Sequence, residues 1–398
     1  VLEKLRDNAC WEAFYEYKAG LACPKSFLKE LRAFIDGEAY LPVAAAIEGG
    51  EPFPLPKKTL IAKQSAEKKR TVYTYPRAEN TVLKLLTWLL LRRYDGLFSP
   101  GLYSFRPGRT AKDAVRRLTR TPGIFEMFAY KVDIHDYFNS IPVARLLPML
   151  EDALGEDPAL LRFLRALLEE PGALDGGKII TEQKGIMAGT PLSAFYANLY
   201  LRELDSHFEE LGLPFARYSD DIILFAPERE TVEAQAAFLR AFLLRHGLTV
   251  NPRKEAFTAP GESWTFLGFR CARGVVDIAP ATLDKLKGKM RRKTRALMRW
   301  KARNGLSGEK AAAAFIRVFN RKLLESPTDN DLSWSRWFFP VITTADSLHI
   351  IDRYAQDCLR YLISGKRTKG RFDVRYPQLK ALGYRSLVHA YYAFGEEG

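Results

Sequence analysis

Phe215-Ala216-Arg217-Tyr218-Ser219-Asp220-Asp221-Ile222-Ile223-Leu224-Phe225 is the stretch from which the rest of the chain is read. Phe215 to Tyr218 and Ile222 to Phe225 are rich in aromatic and β-branched side chains, so each reads as a strand. The Ser-Asp-Asp link between them is short enough for a hairpin turn. Two carboxylates, Asp220 and Asp221, then stand at the tip of a hairpin with apolar arms. Asp is also a common turn residue, and a solvated turn would carry the same letters.

Working outward, a third carboxylate appears at a similar position. In Phe128-Ala-Tyr-Lys-Val-Asp133-Ile-His-Asp136-Tyr-Phe138, residues Tyr130 to Ile134 read as a short strand with Asp133 at its C-terminal end. Residues 143–170 read as helical, 171–177 as a turn, and Lys178 to Thr181 as a strand. Lys184 to Asp205 opens with Gly185 and Gly189 and continues as a helix, which Thr190 would cap with Pro191 in its first position. Glycines there let a flat group lie against the backbone, although a plain tight turn looks the same. Beyond the hairpin, 228–246 reads as a helix and Leu248 to Lys254 as a strand running into a loop. Trp264 to Arg270 reads as a strand, with 273–278 as its hairpin partner.

The N-terminal 48 residues read as a helical packing layer with Trp11, Phe14, Tyr15, Phe27, Leu28, Leu31, Phe34 and Ile35 as core candidates. Residues 49–56 are a Pro/Gly loop. Two strand-like pieces follow around a basic turn that includes Lys63 and Arg70. Such a hairpin can lay cations on a phosphate chain, or it can be a solvated charged surface. After a helix at 78–95, a loop carrying Arg106 and Arg109 leads into a helix capped by Thr110, a setting that suits anions.

The chain has 398 residues and a net charge of +14. Residues 281–398 hold 24 Lys/Arg against 11 Asp/Glu, a net of +13, whereas residues 1–280 are close to neutral. Ten of the twenty residues from 284 to 303 are basic, on a stretch that reads as a helix over 281–305. Lys289, Arg292, Arg295 and Arg299 lie there, and the density exceeds what solvation requires, so the stretch reads as a nucleic-acid surface. Further helices are read at 309–325, 345–364 and 378–394. An acidic membrane is the other partner class for such charge, but the longest apolar run, Leu85 to Leu91, is too short to span one. The sequence reads as lacking a signal peptide. Cys10, Cys23, Cys271 and Cys358 are scattered without metal spacing, which fits a reducing, cytoplasmic setting.

Three carboxylates at strand ends suit Mg²⁺, which takes few protein ligands and keeps sites for substrate phosphates. Two such ions can activate a 3′-hydroxyl and stabilise a leaving pyrophosphate. Carboxylates on neighbouring strands, basic residues for a triphosphate and a basic track for nucleic acid occur together and in a workable order.

From about residue 57 to about 300 the chain resembles a reverse transcriptase. Asp133-Ile-His-Asp-Tyr-Phe-Asn-Ser-Ile is similar to the family's first catalytic motif, Gly189-Thr-Pro-Leu-Ser193 to its Gly-x-x-x-Ser motif, and Tyr218-Ser-Asp-Asp221 to its Tyr-x-Asp-Asp motif. Lys254 matches the lysine of the next motif, Phe266-Leu-Gly-Phe269 the primer grip, and Lys63 with Arg70 the fingertip pair that holds the triphosphate. Phe105-Arg-Pro-Gly-Arg109 resembles the fingers of group II intron enzymes.

The resemblance implies an α+β right hand: a helical layer over 1–56, fingers and palm over 57–280, and a basic helical thumb with a helical bundle over 281–398. It implies that Asp133 and Asp220 bind two Mg²⁺ ions, with Mn²⁺ as a substitute. Asp221 would complete the cluster and the Ile134 carbonyl would face a metal. Phe138 becomes the gate against a 2′-hydroxyl, favouring dNTPs. Ala188, Gly189 and Thr190 become the floor of the nucleotide pocket, Lys254 the acid for pyrophosphate, and Phe266, Leu267 and Gly268 the support of the primer end. Arg106 and Arg109, with the 289–299 cations, would contact nucleic acid.

Two positions depart from the family: Ala188 stands where most members carry Gln, and Ala194 where Pro is usual. The first removes an amide contact near the nucleotide. No endonuclease, ribonuclease H or integrase signature is read, nor the retron Val-Thr-Gly. The pattern looks most like the defence-associated reverse transcriptases, which commonly work with a noncoding RNA template; a CRISPR-linked or intron-type enzyme is the alternative. An idle RNA-binding scaffold is disfavoured because clustered buried carboxylates are costly without cations. Untemplated or protein-primed synthesis, from a tyrosine such as Tyr354, Tyr361, Tyr376, Tyr391 or Tyr392, stays open, as do oligomeric state and protein partners.

Overall fold

The apolar arm that follows Ser219-Asp220 is paired with a strand on each side, which places the acidic turn at one end of a sheet. The computed structural model of the protein describes residues 1–21, 23–62, 69–182, 185–325 and 334–396. It divides into two compact units, Val1–Leu21 with Ser26–Pro260, and Ala22–Lys25 with Gly261–Gly398.

In the first unit the strands are β1 (Lys57–Ala62), β2 (Lys69–Thr74), β3 (Phe128–Asp133), β4 (Gly172–Asp175), β5 (Lys178–Thr181), β6 (Phe215–Tyr218), β7 (Asp221–Ala226) and β8 (Ala256–Thr258). Its helices are α1 (Asn8–Ala19), α2 (Lys25–Asp36), α3 (Leu41–Gly49), α4 (Arg77–Arg93), α5 (Ala111–Arg120), α6 (Tyr137–Ser140), α7 (Val143–Leu154), α8 (Pro158–Glu169), α9 (Ser193–Tyr200), α10 (Arg202–Glu210) and α11 (Arg229–Arg245). The central sheet runs β6-β7-β3-β8 and is antiparallel throughout. Ile222 to Ala226 are all buried, which explains a continuous apolar run instead of a one-sided alternation. Helix α11 packs on β3 and β7. A second sheet, β2-β1-β4-β5, is built from the basic hairpin and the strand pair at 172–181.

The N-terminal helices join the same core. Trp11 is fully buried, donates its indole N–H to the Leu5 carbonyl (2.8 Å) and stacks on Tyr40. Phe14, Leu31 and Ile35 are buried beside it, while Tyr15, Phe27 and Phe34 are partly covered.

The second unit holds β9 (Trp264–Phe266), β10 (Phe269–Ala272) and β11 (Val275–Ile278), in the order β11-β10-β9. Its helices are α12 (Pro280–Arg303), α13 (Gly308–Leu323), α14 (Trp334–Phe338), α15 (Asp346–Ser364), α16 (Tyr376–Ala381) and α17 (Leu387–Glu396). Helices α12, α13 and α15 pack on one another.

Five readings are corrected. The helix of 143–170 is two helices, because the chain breaks after Gly155 and Asp157 caps a new helix with Pro158 at its start. Leu248 to Lys254 forms no strand; Val250 makes an isolated bridge to Ile134, and pairing resumes at β8. Trp264 to Arg270 is not one strand: Leu267 (φ 50°) and Gly268 (φ 89°) are both left-handed and reverse the chain, so β9 and β10 pair antiparallel. The helix of 378–394 is split at Gly383 (φ 92°). Thr190 caps no helix: α9 starts at Ser193, and the Thr190 hydroxyl donates to the Met187 carbonyl at 3.0 Å. The division between units falls at Gly261, so the three short strands group with the helices that follow. Among the described residues no helix is long and apolar enough to cross a membrane.

Candidate active site

Register sets the site. In the antiparallel β3–β7 pair, Asp133 lies directly opposite Asp221. Tyr218 pairs with Asp221, leaving Ser219-Asp220 as a two-residue turn with Ser219 left-handed (φ 59°). The Ile134 amide donates to the Asp220 carbonyl (3.0 Å), tying the end of β3 to that turn. From the other side, the His135 amide donates to the Thr249 carbonyl and the Asn251 amide to the Asp133 carbonyl, both at 2.8 Å. The 249–254 segment is thereby fixed, and it carries Lys254 Nζ to 2.5 Å from Asp133 Oδ2. Three carboxylates and a lysine, drawn from three stretches of sequence, are brought to one end of the sheet.

The electrostatics are those of a crowded anionic corner. Burial pushes the Asp221 carboxyl up to about 6; Lys131 opposes this, and Asp220 and Asp133 add to it. Partial burial works against the Lys254 ammonium, but the hydrogen bond and charge of Asp133, with Asp221 and Asp220 behind it, hold its pKa above the ordinary value. Among the described residues no three His, Cys, Asp or Glu side chains converge closely enough to hold a metal as they stand. The donor set nonetheless suits a hard cation: it is all carboxylate, mutually repelling, and already drawn to one cation at Lys254.

A buried network lies behind the turn. Arg217 and Asp205 are both buried, with Nη2 2.5 Å from Oδ2 and Nε 2.7 Å from Oδ1. Burial opposes the charge on Arg217, but the paired carboxylate outweighs it and raises the guanidinium pKa. Arg217 also donates to the Asn198 carbonyl (3.2 Å) and the Ser219 carbonyl (3.4 Å). The Ser219 amide donates to Ser104 Oγ (2.9 Å), and Ser104 in turn donates to Asn198 Oδ1 (3.1 Å). These partners fix the left-handed Ser219 and hence the direction of the acidic pair. None of Ser104, Asn198, Asp205 or Arg217 stands out in the sequence. An Arg among buried strand residues is the available signal, since a buried guanidinium requires a carboxylate.

Other expected residues fall into three groups. The first lies around α6 and β2. Phe138 stands on α6, whose Tyr137 hydroxyl anchors to the Ala197 carbonyl at 2.6 Å. The Phe138 carbonyl accepts from the Ile186 amide at 2.9 Å. The Ala188 carbonyl accepts from the Tyr73 amide at 2.8 Å. A Cβ on Gly189 (φ 99°) would come within 3.1 Å of Val72, so the 187–190 turn lies flat against β2.

The second group lies in the 95–109 loop or in the second unit. Arg106 is buried; it donates to both Asp95 carboxylate oxygens and to the carbonyls of Asp95, Ser99 and Leu102. It anchors its loop, which corrects the expectation of a nucleic-acid contact there. Arg109 donates to the Pro100 carbonyl and lies over Tyr103. In the second unit, Phe266 is buried and Leu267-Gly268 form the turn between β9 and β10. Lys289, Arg292, Arg295 and Arg299 are exposed on α12, while Leu283, Met290 and Leu297 are buried. Among the tyrosines, Tyr391 donates to the Ile342 carbonyl, whereas Tyr376 and Tyr392 are exposed.

The third group is the fingertip pair. Lys63 falls outside the described residues, and Arg70 is placed only by its backbone, in β2 opposite Ile61.

An antiparallel sheet that sets one aspartate at a strand end against an aspartate pair on a hairpin has the form expected of the palm of a right-hand polymerase fold. The family profile described as "Reverse transcriptase (RNA-dependent DNA polymerase)" matches residues 55–271. The chain belongs to that family. It is 24% identical over 216 residues to the group II intron-encoded protein LtrA of Lactococcus lactis subsp. cremoris, covering 53% of this chain and 34% of that protein. It is 25% identical over 236 residues to the retron Ec86 reverse transcriptase of Escherichia coli, covering 58% and 67%. An uncharacterised 91 kDa protein in the cob intron of Schizosaccharomyces pombe is 29% identical over 160 residues, covering 40% and 19%. The chain thus spans a fifth to a third of the intron-encoded relatives. Among solved structures, apo telomerase from Candida tropicalis, truncated of its C-terminal domain, is similar with a TM-score of 0.47 at 13% identity, covering 57% and 55%.

Proposed function

We propose that the chain is an RNA-directed DNA polymerase that adds dNTPs to a primer on an RNA template. The observation that carries this is the opposition of Asp133 and Asp221 across β3 and β7, with Asp220 in the adjoining turn. Asp133, Asp220 and Asp221, with the Ile134 carbonyl, are the groups that would hold two Mg²⁺ ions. Such ions, when bound, acidify the primer 3′-hydroxyl and neutralise the developing pyrophosphate. Lys254, kept protonated beside Asp133, is in reach of the same corner and serves as the proton donor to the leaving group. Ala188, Gly189 and Thr190 form the flat floor for the nucleotide, and Phe138 stands against the 2′-position of its sugar. Lys63 and Arg70 would bind the triphosphate, the Phe266–Gly268 turn the primer end, and the exposed cations of α12 the duplex backbone.

We further propose that the template is a dedicated noncoding RNA and that the biological role is antiphage defence. This rests on the Ala188-Gly189 form of the motif together with the basic helical C-terminal unit. The test is sequencing of nucleic acid that copurifies with the wild-type protein and with Asp220→Ala/Asp221→Ala, both expressed from the native locus. One defined RNA with complementary DNA in the wild type alone supports the reading. RNA in both samples and DNA in neither makes the protein a scaffold. DNA of simple sequence unrelated to the RNA, or DNA attached to an exposed tyrosine such as Tyr376 or Tyr392, replaces templated synthesis with untemplated or protein-primed synthesis.

A further inference from the structure

Phe105 is an exposed aromatic in an unusual conformation. It is 40% exposed, lies outside the main apolar core, and its backbone is left-handed at φ 59°, a region that L side chains rarely adopt. Its two neighbours account for that conformation. Ser104 is buried and bonded to Ser219 and Asn198 beneath the acidic turn. Arg106 is buried and bonded to Asp95, Ser99 and Leu102. With both flanking residues fixed, the backbone at Phe105 has little freedom, and its ring is delivered edge-to-face against Phe138, with centroids 6.4 Å apart and planes at 81°.

Phe138 is held from its backbone side as well. The Ile186 amide binds its carbonyl, and a Cβ on Gly185 would come within 2.6 Å of Asn139 Cα, so the glycine turn is seated directly against α6. The Phe138 ring itself is packed edge-to-face by two rings, Tyr137 (centroids 5.6 Å, planes at 67°) and Phe105. A gate that excludes a single hydroxyl acts by position alone, so a ring free to rotate away excludes little.

We propose that Phe105 is a positioning residue for sugar selectivity: it buttresses Phe138 from the side and so sets how strongly dNTPs are preferred over NTPs. This deepens, and rests on, the reading of Phe138 as the gate. Removing the Phe105 ring opens space into which Phe138 can turn without altering Asp133, Asp220 or Asp221.

The experiment is single-nucleotide incorporation of dCTP and of CTP opposite G in an RNA template, with the full chain and with Phe105→Ala, Phe105→Leu, Phe138→Ala and the double alanine variant. The ratio of kcat/KM for dCTP over CTP is the readout. Phe138→Ala is expected to lower that ratio by about a hundredfold and Phe105→Ala by about tenfold. Phe105→Leu keeps the bulk and supplies a well-folded variant with a smaller fall. In the Phe138→Ala background, Phe105→Ala is expected to change nothing further. If Phe138→Ala relaxes selectivity and both Phe105 variants keep the wild-type ratio, Phe105 is no buttress. If Phe138→Ala itself keeps the wild-type ratio, the gate reading fails and takes this inference with it.

Discussion

Arg217 holds Asp205 through two hydrogen bonds, at 2.5 and 2.7 Å, at the last step of the strand before Tyr218 and the acidic turn. Removing one partner leaves a buried charge without its counter-ion. Arg217→Met or Asp205→Leu is therefore expected to cost about 3–5 kcal/mol in urea unfolding. The paired variant is expected to recover most of that stability, because apolar side chains can replace a buried pair. It is not expected to recover polymerase activity, since Arg217 also binds the carbonyls of Asn198 and Ser219. Full activity in the paired variant would show that the network does not aim the turn.

Arg106 and the α12 arginines predict opposite phenotypes. Arg106→Ala removes a guanidinium bonded to one carboxylate and three carbonyls, and is expected to lower stability by about 2–4 kcal/mol. Its effect on the salt dependence of nucleic-acid binding should be nil. Arg292→Ala and Arg299→Ala, at exposed positions, should leave stability within about 0.5 kcal/mol. Each should lower the slope of log K against log salt by about 0.7–0.9 for every phosphate that the arginine neutralises. Titration of an RNA–DNA duplex at several salt concentrations reads both effects.

The hairpin arms, Asp133 at the end of its strand and the basic α12 are legible in the sequence because β-branched and aromatic runs, turn letters and charge density are local signals. The alliance of Arg217 with Asp205 is not, because nothing in twelve residues of separation announces a contact. Arg106 misleads for a related reason: an arginine in a loop looks solvated until its acceptors, Asp95 and the nearby carbonyls, are seen to surround it. The break at Leu267-Gly268 is hidden because Leu267 is a poor advertisement for a left-handed residue.

Asp221 gives the fold a pH signature. Its carboxyl titrates near 6 when folded, against about 3.9 in an unfolded chain. Below about pH 4 both forms are protonated and the fold carries no charge cost there. As pH rises from about 4 to 6 the unfolded chain ionises first, so stability falls, by about 3 kcal/mol in all. Urea unfolding in EDTA should show this fall in the wild type and a flatter profile in Asp221→Asn. Mg²⁺ added at neutral pH should raise the wild-type midpoint more than that of the variant, as a ligand of the folded state does. Parallel profiles for the two proteins would remove Asp221 from the strained corner.

Gly185 lies three residues before the proposed nucleotide floor at Ala188. Its φ is 91°, and a Cβ would meet the backbone of Asn139 at 2.6 Å. Gly185→Ala is expected to destabilise by more than about 1 kcal/mol and to raise KM for dNTPs with a smaller change in kcat. Thermal unfolding beside steady-state kinetics checks both; an unchanged KM would separate this turn from the nucleotide site.

The most direct test of the central claim is extension of a labelled DNA primer on an RNA template by the purified chain, with dNTPs and Mg²⁺, beside Asp133→Asn and Asp220→Asn. The opposition of β3 and β7 predicts template-directed extension by the wild type and a loss of at least about a thousandfold in either variant. Extension that survives both substitutions, or that proceeds without regard to the template, would contradict it.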